Sequence, residues 1–181
     1  MEVPDWFVDH LKRTGEWVEP KSRPCKRRVR ESDSRSCMDV LRAFTVKPVW
    51  GWLIMKGIKD VENRWNGVQP PKGVCAVSFS KTYGRAEHEE LLEYVDRKNR
   101  KLIPPFDELK KLCGKVVGVV GYEVRTSCKS KWWNGEDFAW VMSNPRWIGN
   151  PFTVKGFIGM WTMKPADARK LLSQLQPQIN F

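Results

Sequence analysis

Nine residues, Gly57 to Trp65 (GIKDVENRW), hold the densest set of groups able to do chemistry, directly after the apolar run VWGWLIM. In an extended chain alternate residues share a face. Lys59, Val61 and Asn63 then point one way, and Asp60, Glu62 and Arg64 the other. Glu62 and Arg64 become neighbours able to pair, and a bend at Gly57 can return Lys59 to the same cleft. An arginine in a cleft clamps a phosphate or carboxylate through two parallel hydrogen bonds. A partly desolvated lysine releases its proton more easily and can act as base or nucleophile. Glu62 would orient it or activate water. The competing reading is structural, a Glu62–Arg64 ion pair that pins the loop.

Two other stretches carry candidate contacts. In SCKSKWWNGEDFAW, Lys129 and Lys131 precede Trp132 and Trp133. Lysines that hold phosphates beside indoles that stack on bases are the means by which single strands are bound. The alternative is that both rings pack under a loop turned by Gly135, with Glu136 and Asp137 flanking the turn. In SFSKTYGR, the hydroxyls of Ser80, Thr82 and Tyr83 and the charges of Lys81 and Arg85 follow an apolar run and can meet a ribose or phosphate. The safer reading for Ser80 or Thr82 is a cap on the next helix. Trp52 is a further candidate contact, and Asn144, at an expected strand end with Pro145, is another.

The elements that position these groups are legible in part. DVLRAFTV reads as a strand with Val40, Arg42, Phe44 and Val46 on one side. KPVWGWLIMKG reads as a helix with Pro48 in its first turn and Gly57 at its end. DVENRW is extended, and GVCAVSFSK is a buried strand. AEHEELLEYVDRKNRK is one helix with Leu91, Leu92 and Val95 inward, and IPPFDELKKLCG is a shorter helix closed by Gly114. KVVGVVGYEVR is a strand bent at its glycines. DFAWVMSNPRWI and PFTVKGFIGMWTM are two more strands with the turn GN between them, and PADARKLLSQL is a last helix. This order lacks the regular alternation of a parallel α/β sheet. It predicts an α+β fold: a small closed β-barrel decorated by helices.

The chain has 181 residues, suited to one domain with an extension. Its 32 Lys+Arg against 21 Asp+Glu give a formal net charge of +11, and it has ten tryptophans. That combination favours a polyanionic partner, nucleic acid first. Five cysteines without a C-x-x-C pair, and only His10 and His88, offer no zinc spacing. No metal or cofactor is expected. Free thiols fit a reducing compartment. No apolar run approaches a membrane span, and MEVPDWFVDH lacks the form of a secretory signal. A soluble monomer of the cytoplasm or nucleus is the expectation. Residues 1–38 differ in composition: a short amphipathic helix, then an arm in which residues 21–30 carry six basic groups, Arg27 and Arg28 among them, and no acid. Such an arm binds phosphates, serves as a nuclear address or is a solvated tail.

FTVKPVWGWLIMKGIKDVENRW resembles the opening of ASCH domains, a PUA-like β-barrel family marked by Lys-Pro, an apolar helix and then G-x-K-x-x-E-x-R, here Gly57, Lys59, Glu62 and Arg64. GVCAVSFSKTY, GKVVGVVGYEV and FAWVMSNPRWIGNPFTVKGFIGMW resemble the later strands and closing hairpin of that family, so the likeness covers about residues 40–163. It implies an ASCH (PUA-like) barrel over 39–164, flanked by the N-terminal helix and basic arm read from composition over 1–38 and by a C-terminal helix and tail over 165–181. It also implies a cleft bordered by the G-x-K loop that binds RNA or DNA. Some members cleave RNA, and some small ones deacetylate N4-acetylcytidine with a threonine where this chain has Glu62. Three functions are carried forward. The first is binding of RNA or another single strand. The second is a metal-independent hydrolase of RNA or an acylated nucleoside through Lys59 and Glu62. The third is a coactivator-type interaction module.

Overall fold

The computed structural model describes residues 41–68 and 71–175. The expected N-terminal helix, the basic arm with Arg27 and Arg28, and the tail after residue 175 lie outside the described residues. The chain order is β1 (Arg42–Val46), α1 (Pro48–Met55), β2 (Val61–Arg64), β3 (Lys72–Phe79), α2 (Arg85–Glu93), α3 (Arg97–Arg100), α4 (Phe106–Lys110), β4 (Lys115–Arg125), β5 (Phe138–Thr153), β6 (Met160–Thr162) and α5 (Pro165–Leu175). The six strands form one curled, half-barrel sheet in the order β2-β5-β4-β3-β1-β6. This is the mixed α+β architecture expected, with the barrel half closed. Only β1 and β3 run parallel, Phe44 facing Val77 in register. The crossover between them carries α1 and β2, as a parallel pair requires.

Side chains alternate across the sheet and bury both faces. On one face Phe44, Val46, Val77, Phe79 and Trp140 pack with Val49, Leu53 and Ile54 of α1. On the other, Ala43, Ala76, Val116, Ile148 and Phe152 pack with Ala168 and Leu171 of α5. A buried side chain of the Leu53 or Ile54 kind contributes about 1.5–3 kcal/mol relative to exposure, so the apolar run after Pro48 anchors α1 on the sheet. Pro48 stands at the start of α1, and Gly57, at φ 68°, leads the chain out of it, as the sequence predicts.

Four local expectations are corrected. The long helix is broken, because the Asp96 carboxylate accepts from Asn99 N–H at 2.9 Å and caps a new turn. Leu91 and Leu92 are half-buried there, while His88 and Val95 are buried. The GN turn is not a turn: β5 runs through Gly149 and Asn150. Its pairing with β4 moves from Val116–Phe152 to Gly118–Trp147, two residues against five, so the excess forms a bulge. The amide of Asn150 is then satisfied by Gln174 Oε1 of α5 at 2.8 Å. Asn144 and Pro145 do not end a strand but sit in a second bulge, with Asn144 at φ 48°. Ser80 and Thr82 do not cap α2, whose N-cap is Gly84; the Ser80 hydroxyl instead meets the Thr82 carbonyl at 3.1 Å.

Candidate functional site

The turn out of α1 builds the site. Ile58 and Lys59 donate backbone N–H groups to the Leu53 carbonyl, at 2.9 and 3.1 Å, which aims the chain from the helix into β2. β2 pairs with β5, Glu62 opposite Trp140 and Arg64 opposite Phe138. The expected bend does return Lys59 to Glu62. Its Nζ lies 2.9 Å from Glu62 Oε2 and also donates to the Val61 carbonyl. Glu62 Oε1 meets Arg64 Nη2 at 3.1 Å. Both carboxylate oxygens of Glu62 therefore face a cation. Arg64 Nη2 also donates to the Thr45 carbonyl at 2.9 Å, and its guanidinium stands 5.5 Å from the Trp140 ring centre. Arg64 Nε is buried with no acceptor among the described residues.

Glu62 and Arg64 open onto a cleft of about 1090 Å³. Thr45, Ser78, Trp50 and Trp161 line it as well. Trp161 Nε1 donates to Thr45 Oγ1 at 3.1 Å, which fixes one indole against β1. Around the opening stand Lys47, Ser80, Lys81, Lys155 and Lys164, together with Phe157 and Ile158. Lys47 is committed to Glu87 at 2.5 Å. Lys81, Lys155 and Lys164 are exposed and carry no ion pair among the described residues. Glu62 and Asp167 are the acids that line the cleft. A concave space with indole walls and free lysines at its mouth suits a flat ring that carries phosphate.

The predicted residues divide. Glu62, Arg64, Ser80 and Lys81 line the cleft, while Lys59 lies behind Glu62, 6% exposed, 5.9 Å from the Trp50 ring centre. Trp52 does not line it: its Nε1 donates to the Leu102 carbonyl at 2.8 Å and its ring meets Trp147 edge-on. Tyr83 is buried, its hydroxyl 2.6 Å from His88 Nδ1 and its ring 5.6 Å from Phe106. Burial pushes the Tyr83 phenol well above its usual range, with Cys113 and Glu87 adding to the effect. Burial also pushes the His88 imidazole down, Glu89 opposing and Arg85 assisting.

The double-tryptophan loop forms a structural cover. Trp132 Nε1 donates to the Ile58 carbonyl and Trp133 Nε1 to the Asp137 carbonyl, both at 2.8 Å. Trp132 also meets Trp50 edge-on at 6.3 Å. Asn134 Oδ1 accepts from the amides of Glu136 and Asp137, which is the turn reading of that segment. Lys131 pairs with Asp96 at 3.0 Å, and Lys129 is exposed. Asn144 is exposed in its bulge and does not line the cleft. Trp50, Lys155, Phe157, Trp161 and Lys164 line the cleft without having been singled out from sequence. The signal was present in KGFIGMW, where a lysine precedes a Phe-Ile pair set between glycines.

Among the described residues no group of three or more His, Cys, Asp or Glu side chains could hold a metal, and no helix is long and apolar enough to cross a membrane. The chain matches no family model and no curated protein.

Proposed function

We propose that this chain is a nucleic-acid-binding protein of ASCH type that takes one nucleotide of an RNA or other single strand into the cleft beside Arg64. The observation that carries the reading is the set of groups gathered on one cleft: the Arg64 guanidinium, the indoles of Trp50 and Trp161, and three lysines with no ion pair among the described residues. Arg64 is 19% exposed and lines the cleft, so the accessible edge of its guanidinium can donate to a base carbonyl or a phosphate oxygen there. Trp50 and Trp161 offer stacking faces, and Lys81, Lys155 and Lys164 offer unpaired charge for the neighbouring phosphates. The ASCH assignment rests on the order of the sequence motifs, and the curled sheet is compatible with a PUA-like barrel.

The geometry lends less support to a hydrolase. Both Glu62 oxygens are held by cations, and Lys59 does not line the cleft. Glu62 is better placed to orient Arg64 than to activate water.

The test is fluorescence anisotropy of a labelled single-stranded RNA with wild type and with Lys81→Ala/Lys155→Ala, at low and physiological salt, followed by sizing of the RNA. The expected result is intact RNA and affinity that falls with salt. The variant should have a shallower slope, since each phosphate contact on a single strand contributes roughly 0.7 to the logarithmic salt slope. RNA shortened by wild type would establish the hydrolase instead. Absence of binding would leave the interaction module.

A further inference from the structure

Residues 154–159 leave β5 and return to β6 along the cleft. The base of this loop is pinned. The Val154 amide donates to the Gly114 carbonyl at 3.1 Å. Gly156 lies so close to β1 that a Cβ there would stand 2.7 Å from Thr45 Oγ1. The Phe157 ring meets Trp161 edge-on at 5.8 Å, and Lys155 Nζ lies 5.6 Å from the Phe157 ring centre. Gly159, at φ 74°, turns the chain back toward the sheet. At the apex Ile158 is 95% exposed and Phe157 52%. Single exposed apolar residues need no explanation. Here a stiff β-branched side chain and an aromatic ring stand together on an anchored loop, in the wall of a cleft rimmed by lysines.

We propose that Phe157 and Ile158 form a wedge that enters the base stack of a bound single strand, next to the nucleotide held in the cleft. The inference rests on the nucleic-acid reading of the same cleft. Drawing one base out of a stack leaves a gap beside its neighbour, and apolar side chains that fill such gaps are a general means of holding the opened form. Lys155, in the same loop, and Lys81 and Lys164, which line the same cleft, supply charge for the neighbouring phosphates. Neither wedge side chain can hydrogen-bond a base edge. The wedge therefore tolerates any sequence, and selectivity belongs to Arg64 and the interior of the cleft.

The test uses the full chain and an adenine-rich single-stranded RNA in which one adenine at a time is replaced by 2-aminopurine, whose emission rises when it unstacks. Wild type should raise emission at the position beside the cleft nucleotide. Ile158→Ser should remove that rise and weaken binding about tenfold, in the range found for one lost stacking partner, with the salt slope unchanged. Ile158→Leu should restore both. Ile158 is almost fully exposed, so these substitutions leave the fold intact. An equal rise with Ile158→Ser, or binding without a rise at any position, overturns the wedge while leaving the binding reading in place. Flat anisotropy with wild type overturns both. Binding of phosphatidylcholine vesicles that Ile158→Ser abolishes also overturns the wedge, in favour of a lipid-facing loop.

Discussion

Arg64 on β2 donates to the backbone carbonyl of Thr45 on β1 at 2.9 Å, although three strands, β5, β4 and β3, separate these two in the sheet. In a flat sheet with strands about 4.8 Å apart, that separation would be roughly 19 Å. The curl of the sheet closes it, and Arg64 fastens the two sides over the cleft. The same guanidinium thus belongs to the scaffold and to the site.

Arg64→Lys should therefore separate charge from geometry. A lysine keeps the positive charge but cannot reach Thr45 and Glu62 as a fork, and it has no Nε–H. Urea unfolding should show a loss of about 1–3 kcal/mol. RNA affinity should fall more than in Lys81→Ala, with the salt slope of wild type retained.

Glu62→Gln keeps the shape and removes the charge between Lys59 and Arg64, whose Glu62 partner is only 11% exposed. Leaving two cations together without their acid should cost about 2–4 kcal/mol in urea unfolding, toward the lower end of the range for buried pairs because Arg64 keeps some contact with water. On the binding reading the folded fraction should still bind RNA within about threefold of wild type, a change below 1 kcal/mol. A turnover assay that lost all activity in this variant would favour the hydrolase.

Gly118 sits where the β4–β5 register shifts, and a Cβ there would stand 2.3 Å from the Arg146 carbonyl oxygen and 2.5 Å from the Met55 methyl. Backbone cannot move aside as a side chain can. Gly118→Ala should lower stability by about 2–4 kcal/mol, the overpacking range and somewhat beyond. Gly149→Ala, in the partner strand β5 with open space around it, should stay within about 0.5 kcal/mol of wild type.

The pH dependence follows from His88. Burial holds its folded pKa below the ordinary value of 6.5. Below pH 6.5 the unfolded chain therefore binds more protons than the folded one, and stability rises with pH in that window. The contribution is present above the unfolded pKa and is lost as pH falls from about 6.5 through the depressed folded value. Thermal unfolding followed from pH 7.5 down to 5 should show this decline, and His88→Asn should flatten it.

The fold was legible where local signals agree. Pro48, the apolar run and Gly57 delimit α1 whatever the tertiary context. The failures share a cause. Gly149 and Asn150 have the chemistry of a hairpin turn, but the amide pairing of Gln174 lets β5 carry them as a bulge. Only the distant α5 reveals that. The Lys59–Glu62–Arg64 cluster was legible because four residues of strand and one bend bring the three together, although only Glu62 and Arg64 line the cleft. Trp50 and Trp52 could not be told apart, since which indole faces the cleft depends on how α1 rests on the sheet. Lys129 and Trp133 drew attention by composition, but ring N–H groups that meet backbone carbonyls, as Trp133 does, are invisible in sequence.

The placement of β6 sets a timetable for synthesis. β1 pairs on one edge with β3, but its other edge waits for Met160–Thr162, and the Thr45–Trp161 bond spans 116 residues. At ~5–20 residues per second, roughly 80 residues separate the end of β3 from β6, a delay of about 4–16 seconds. Through that interval a nascent chain presents an open strand edge of the kind that pairs with other chains. Lys155, Phe157 and Trp161 are also still unmade. The cleft is therefore incomplete in the growing protein until the strand that closes the sheet at β1 has been made.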